Sequence, residues 1–279
     1  MPQNRQDTEP APTYPSEAPH STGWLSANAR VGAHRHVEGQ LVYAASGALS
    51  TTTVCGTWVA PANRATWTPP GFEHAHRCHG DTDARIIVIP VDLSARLPAR
   101  PSVFEVGPLL REGILALTER RITSPDVYAR LRAVLLDELI EAPEQSVRLP
   151  EPRDERLRAV AELLEADPAQ STALADFGRT VGASERTLSR LLHHEFGMSF
   201  RRWRTLLRVH HGLIHLSRGR SVTETAIACG WSNPTSFIEA FTSVIGETPG
   251  RYQLGMRSAD VFPATSTPDH AKPLGSPEF

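Results

Sequence analysis

Two stretches of this chain repeat one pattern, and the pattern leaves few folds open. They read "TALADFGRTVGASERTLSRLLHHEFG" and "SVTETAIACGWSNPTSFIEAFTSVIG". Each offers a short apolar-patterned helix, a glycine, a residue able to start a helix, and a longer amphipathic helix. The glycines are Gly182 and Gly230, where a turn between helices needs φ > 0. Four residues before each stands a small side chain, Gly178 or Ala226, which lets two helices approach closely. Ser184, and Ser232 or Asn233, are placed to cap the second helices. One such αα-hairpin is common. Two in tandem define a helical domain with two similar units.

Between the units, "MSFRRWRTLLRVHHGLIHLSRG" reads as one long amphipathic helix. About 20 helical residues span roughly 30 Å. That is close to the ~34 Å between successive major-groove faces on one side of B-DNA. The charge agrees. The whole chain is nearly neutral at −2, yet residues 179–220 hold nine arginines and two glutamates, a net +7. A basic segment in a neutral protein points to a local polyanion partner.

The segment "LSRLLHHEFGMSFRRWRTLLRVHHGLIHL", followed by "SVTETAIACGWSNPTSFIEAFTSVIGETPGRY", resembles the DNA-binding domain of AraC/XylS-type transcription regulators. The resemblance covers about residues 154–254 and includes the closing Gly246, Thr248, Pro249 and Tyr252. Leu192 stands in a usual phenylalanine position, Trp231 in a usual tyrosine or phenylalanine position, and Gly178 in a usual alanine position. The last is expected to cost roughly 1 kcal/mol if interior.

The resemblance implies a first recognition helix at Ser184–Phe196, with Arg186, Thr187, Ser189 and Arg190 on its exposed N-terminal face. Arg186 and Arg190 are the expected base readers, since a guanidinium can bond guanine O6 and N7 together. Ser184 is expected as a cap or phosphate contact. The second helix would present Asn233, Pro234, Thr235, Ile238 and Glu239. Arg201, Arg202 and Arg204 are expected on phosphates. Leu188, Leu191, Phe196, Trp203, Leu206, Leu207, Phe237 and Phe241 are core by spacing.

The N-terminal half reads differently. Short alternating segments from 21 to 105, among them "QLVYAAS" and "ARIIVIPVDL", are separated by Gly, Pro and Asn, which favours a β-barrel or sandwich. "GPLLREGILALTERR" and "SPDVYARLRAVLLDELIEA" then carry helical periodicity. Their leucines, Leu109, Leu110, Leu115 and Leu117, then Leu131, Leu135, Leu136 and Leu139, are candidates for dimer contacts or for capping the barrel. The stretch from 1 to 22 is Pro-rich and polar, without a secretory apolar core. Three cysteines without CxxC spacing fit a reducing cytoplasm. No run of about 18 apolar residues exists to span a membrane.

One short motif remains, "HRHVEGQ". His34 and His36, then Gln40 and Gly47, then Pro69, Gly71 and His74 resemble the two signatures of cupin-type domains, with Gln40 where a glutamate is usual. Asn63 and Cys78 depart from the expected Gly and Asn. The resemblance implies a site of His34, His36, Gln40 and His74 for a divalent transition metal, or a metal-free effector pocket lined by the same histidines. Glu38, His76 and His79 are near enough in sequence to contribute.

These readings give an α+β multidomain chain. A disordered leader (1–22) precedes a cupin-like effector-sensing β-barrel (23–105), a helical dimerisation segment (106–142) and a linker (143–153). An all-α double helix-turn-helix domain (154–256) and a disordered tail (257–279) follow. The expected protein is a cytoplasmic transcription regulator, not an enzyme. Its expected partners are promoter DNA, a small-molecule or metal effector, a second copy of itself and, for an activator, RNA polymerase. Two other readings stay open: a metal-dependent cupin enzyme fused to a DNA-binding module, and a constitutive DNA-binding protein with a structural barrel.

Overall fold

A computed structural model describes residues 13–14, 20–26, 28–119, 122, 124–145 and 148–260. The N-terminal strands form two sheets. The first takes β1 (Thr13–Tyr14), β3 (Arg30–His36), β5 (Ala48–Thr53), β6 (Gly56–Pro61) and β8 (His74–Cys78), in spatial order β1-β3-β8-β5-β6. The second takes β2 (His20–Leu25), β4 (Gly39–Ser46), β7 (Arg64–Thr68), β9 (Thr82–Ile89), β10 (Ser102–Glu105) and β11 (Glu144–Gln145), in order β11-β10-β7-β4-β9-β2. Neither described sheet closes on itself. The expected barrel is therefore seen as two open sheets in contact.

Strand β4 shows how they pack. Its residues alternate faces, as strand geometry requires. Leu41, Tyr43 and Ala45 join a core with helix α2 (Pro108–Thr118) and helix α3 (Pro125–Glu141). Val42 instead meets Leu49 of β5 and Cys78 of β8 between the sheets. A short helix α1 (Val91–Ser94) follows β9. The leucines that suggested a dimer face are mostly spent within the chain. Leu110, Leu115, Leu117, Leu135, Leu136 and Leu139 are buried in the core beneath α2 and α3, while Leu109 is exposed.

Two boundary readings change. The expected leader contains β1 and the start of β2; β2 pairs along its whole length with β9, from His20↔Ile87 to Leu25↔Thr82. Its remaining residues lie outside those described, as does most of the expected tail. The linker is not loose. β11 pairs with β10, and Leu149 exchanges backbone hydrogen bonds with Thr57, at 2.9 and 2.8 Å.

The C-terminal part is helical throughout: α4 (Glu155–Ala166), α5 (Leu174–Thr180), α6 (Glu185–Phe196), α7 (Phe200–Ser217), α8 (Val222–Ala228), α9 (Pro234–Ile245) and α10 (Pro249–Asp260). Among the described residues no helix is long and apolar enough to cross a membrane. Helix α7 belongs to two cores. Trp203 and Leu207 pack with Phe177, Leu188 and Leu192 of the first unit. Val209, Leu213 and Leu216 pack with Ala226, Phe237 and Phe241 of the second. Leu191, Phe196 and Leu206 are partly buried at the edge of the first core.

Gly178 needs a different account from its expected helix penalty. A Cβ there would lie 2.4 Å from the Ala183 carbonyl oxygen. The first turn closes directly against this backbone, so even an alanine forces a shift.

Candidate functional site

The first candidate surface is the pair of second helices, α6 and α9. Ser184 begins α6 as a cap, its Oγ accepting from the Thr187 amide at 3.1 Å. Ser184 and Thr187 also share a hydroxyl hydrogen bond at 2.8 Å. Leu188 and Leu192 turn inward. Arg186 and Arg190 lie exposed on the outer face, and neither makes an ion pair among the described residues; Thr187 and Ser189 are half-buried beside them. Asn233 caps α9, accepting from the Ser236 amide at 2.8 Å, and Pro234 sits in the first turn. Thr235 and Glu239 are exposed and Ile238 is half-buried. This second face is poor in cations, as its sequence indicates. The structure thus leaves both N-terminal helix faces accessible, as a groove-entering helix requires.

The basic segment divides into two kinds of arginine. Arg201 and Arg202 are exposed. Arg204 is partly engaged within the fold: its Nη1 donates to the Thr172 carbonyl at 3.0 Å and its guanidinium lies over the Phe200 ring. Arg208 is tied down further. It donates to the carbonyls of Pro168 (2.9 Å), Gln170 (2.9 Å), Gly230 (3.1 Å) and Ala169 (3.3 Å). Those acceptors lie before the first unit's short helix and at the second unit's turn, so one side chain joins both. By residue type alone it looks like another cation of the basic segment. Arg208→Met keeps the stem and removes these bonds. It should lower stability by about 2 kcal/mol or more, since hydrogen bonds from a charged group contribute ~1.5–3 kcal/mol each without adding fully. The thermal midpoint should fall by roughly 5 °C or more. An unchanged midpoint in a dye-binding melt refutes the structural role.

The second candidate is the histidine cluster. His34 and His36 are two apart on β3, and His74 and His76 are two apart on β8, so each pair shares a face. The strands pair antiparallel with Val31 opposite His76 and His34 opposite His74, and the register shifts between these points. That bulge inverts the alternation of β3 and brings His34 to the same side as His74 and His76. Gln40 reaches the cluster from β4 in the other sheet. Gly39 beside it is required, because a Cβ there would lie 2.0 Å from the Trp67 ring.

The rings are oriented from behind. His34 Nδ1 donates to the Gly32 carbonyl at 2.8 Å, and His74 Nδ1 to the Phe72 carbonyl at 2.9 Å. His76 Nδ1 lies 3.1 Å from the Thr51 hydroxyl. A carbonyl anchor on Nδ1 fixes the tautomer and turns Nε2 inward, as in metal-binding imidazoles. His34, His74 and His76 are all buried, and their ligand atoms lie within 4.8 Å of one another. On tetrahedral zinc at 2.0–2.1 Å, ligand nitrogens stand roughly 3.3 Å apart, so the rings need to close inward only slightly. Burial holds the His74 imidazole down to about 4, and the His76 imidazole well below its ordinary value, so both are neutral and able to ligate at pH 7.

Gln40 decides between two chemistries. Its Oε1 lies 3.1 Å from His74 Nε2 and 3.2 Å from His76 Nε2, while its Nε2 lies 3.0 Å from His36 Nε2. In neutral His74 the anchored Nδ1 holds the proton, so Nε2 is an acceptor facing another acceptor. A cation between them resolves the clash. So does the amide turned over about its Cγ–Cδ bond. The amide NH2 then donates to both rings, and its oxygen accepts from His36. The same residues suit a metal ion or a closed polar network.

Of the expected set His34, His36, Gln40 and His74, all four are brought together. His76 belongs with them. His79 does not; it bonds to the Ser50 hydroxyl at 3.0 Å. Glu38 lies in the turn between β3 and β4, outside the group of converging ligand atoms.

Known proteins resemble this chain in its helical part and over most of its length. A helix-turn-helix domain family matches residues 177–254. The HTH-type transcriptional regulator NimR of Escherichia coli is 33% identical over 238 residues, covering 85% of this chain and 86% of NimR. RipA of Corynebacterium glutamicum, also an HTH-type transcriptional regulator, is 37% identical over 125 residues, covering 43% of this chain and 37% of RipA. Among solved structures, fatty acid-bound ToxT of Vibrio cholerae is similar over 84% of this chain and 94% of ToxT, with 10% identity and a TM-score of 0.37.

Proposed function

The chain belongs to the AraC-type helix-turn-helix transcriptional regulators, and on that premise we propose that its cupin-like N-terminal domain is the sensor that governs DNA binding. The effector site is the buried cluster of His34, His74 and His76, with Gln40 and His36 at its side, and its ligand is a divalent transition metal. The observation that carries this reading is the convergence of three buried imidazoles, His34, His74 and His76, two of which also meet the Gln40 amide oxygen. When bound, the metal supplies a positive centre that imidazole nitrogens and the amide oxygen can share. The chain's own contribution is orientation: Gly32 and Phe72 hold two rings in place, and Gln40 links the cluster to the other sheet.

Promoter DNA is read by α6 and α9, with Arg186 and Arg190 on bases and Arg201 and Arg202 on phosphates. The regulator acts as a homodimer through the outer faces of α2 and α3, where Leu109, Val127, Val134 and Ile140 stay exposed while most of the other leucines are buried inside the chain. Its relatives are transcriptional regulators, which supports reading the histidines as a sensor rather than a catalytic centre.

Metal analysis by mass spectrometry, on protein prepared without a His tag, tests the sensor. About one equivalent of a transition metal per chain is expected, as for a single imidazole-rich site. Protein that holds no metal, even after addition and desalting, rejects the metal and leaves the closed Gln40 network as an organic effector pocket.

A further inference from the structure

Besides the Leu149–Thr57 bridge, two contacts of different character join the sensor sheets to the second helical unit. One is apolar: Val59 of β6 packs with Val209, Leu213 and Leu216 of α7. The other is centred on one buried cation. Arg64 opens β7 and is only 5% exposed. Its Nη2 donates to Glu247 Oε1 at 3.1 Å and lies 3.7 Å from Glu105 Oε2. Its guanidinium covers the Tyr252 ring at 4.9 Å. Glu247 stands in the turn between α9 and α10, directly after the Gly246 that ends the second reader helix. Beside the contact lies a cavity of about 580 Å³, walled by Asn63 and Glu105 on one side and Ile245 and Arg251 on the other. Close packing does not fill this edge of the seam, so the hold on the α9–α10 turn concentrates on Arg64.

The other end of β7 reaches the histidine site. Thr68, its last residue, is paired with Gln40 in register. All five residues from Arg64 to Thr68 are buried. A short strand fixed on both faces moves as a unit, because packed interiors do not deform smoothly.

We propose that Arg64 is the positioning residue that docks the second reader onto the sensor sheet and carries the state of the histidine site to it. The docking half stands on the seam alone. The transmission half rests on the metal-sensor reading above.

Hydrogen–deuterium exchange on the full chain, with and without zinc chloride, tests both halves separately. Without zinc, Arg64→Met should raise amide exchange across α10 by about tenfold or more, since the ion pair is the main hold at that edge. Glu247→Gln, a milder change at the reader's side, should do the same. Glu105→Gln removes the partner within the sensor domain and should leave α10 unchanged, which a merely local role for Arg64 would not predict. With zinc, the wild type should gain protection in β3 and β8 and change at residues 246–256. Arg64→Met should keep the first effect and lose the second. Unchanged α10 exchange in both the Arg64 and Glu247 variants overturns the docking. A zinc effect on residues 246–256 that survives Arg64→Met overturns the transmission. No zinc effect in wild-type β3 and β8 overturns the metal sensor instead, and the zinc-free comparison still decides the docking.

Discussion

The His34→Ala/His74→Ala double variant should lose at least ~100-fold in affinity for a divalent transition metal, because removal of a mere outer partner of a ligand already costs 10–100-fold. Two of the three converging nitrogens disappear, and His76 with a neutral amide does not make a strong site. The protein should also lose some stability. The half-buried Phe72 carbonyl loses its imidazole donor at about 1 kcal/mol, and the exposed Gly32 carbonyl turns to water at smaller cost. Metal-free DNA affinity should nevertheless stay within about threefold of wild type, because the readers have their own two cores. Isothermal titration with metal and fluorescence anisotropy with DNA check the two halves. A variant that keeps metal affinity refutes the ligand set. One whose DNA binding collapses marks the histidines as structural supports.

The second large effect concerns discrimination. Arg186→Ala should relax sequence preference by about 5- to 150-fold, the equivalent of the 1–3 kcal/mol that a bidentate guanidinium–guanine pair contributes. The side chain is exposed and unpaired among the described residues, so its removal costs the fold little. Arg202→Ala is the contrast. It should weaken binding to every sequence alike and lower the salt slope by about one. The experiment selects DNA from a randomised pool, then compares selected with random duplexes for each variant. Equal losses on both pools for Arg186→Ala remove it from the base readers.

What could be read from the chain alone depended on how local each signal was. The tandem units were legible because helix periodicity, turn glycines and caps lie within a few residues of one another. Ser184 and Asn233 do cap as their positions indicated. His34, His36, Gln40 and His74 were legible through their resemblance to a known spacing. His76 was only loosely indicated, because its role depends on the bulge in β3 and on Thr51 of a third strand. The internal bonds of Arg204 and Arg208 were not legible for a similar reason: charge is visible in a sequence, but a distant carbonyl is not. The polar, Pro-rich composition before residue 21 hid β1 and the first residues of β2, which only their pairing with β3 and β9 reveals. The closed barrel was the simplest form of many short strands, and the observed pairing gives two open sheets instead.

The rigidity of α7 has a consequence for promoters rather than for protein. Its 18 residues span about 27 Å, and each end is locked into a different core. Neither reader can swivel to suit a new site. Inserting one base pair between the two half-sites displaces the far one by ~3.4 Å and about a tenth of a helical turn. A promoter under this regulator can therefore drift in base identity one position at a time. It cannot drift in length between the half-sites, so insertions and deletions there should be purged where substitutions persist.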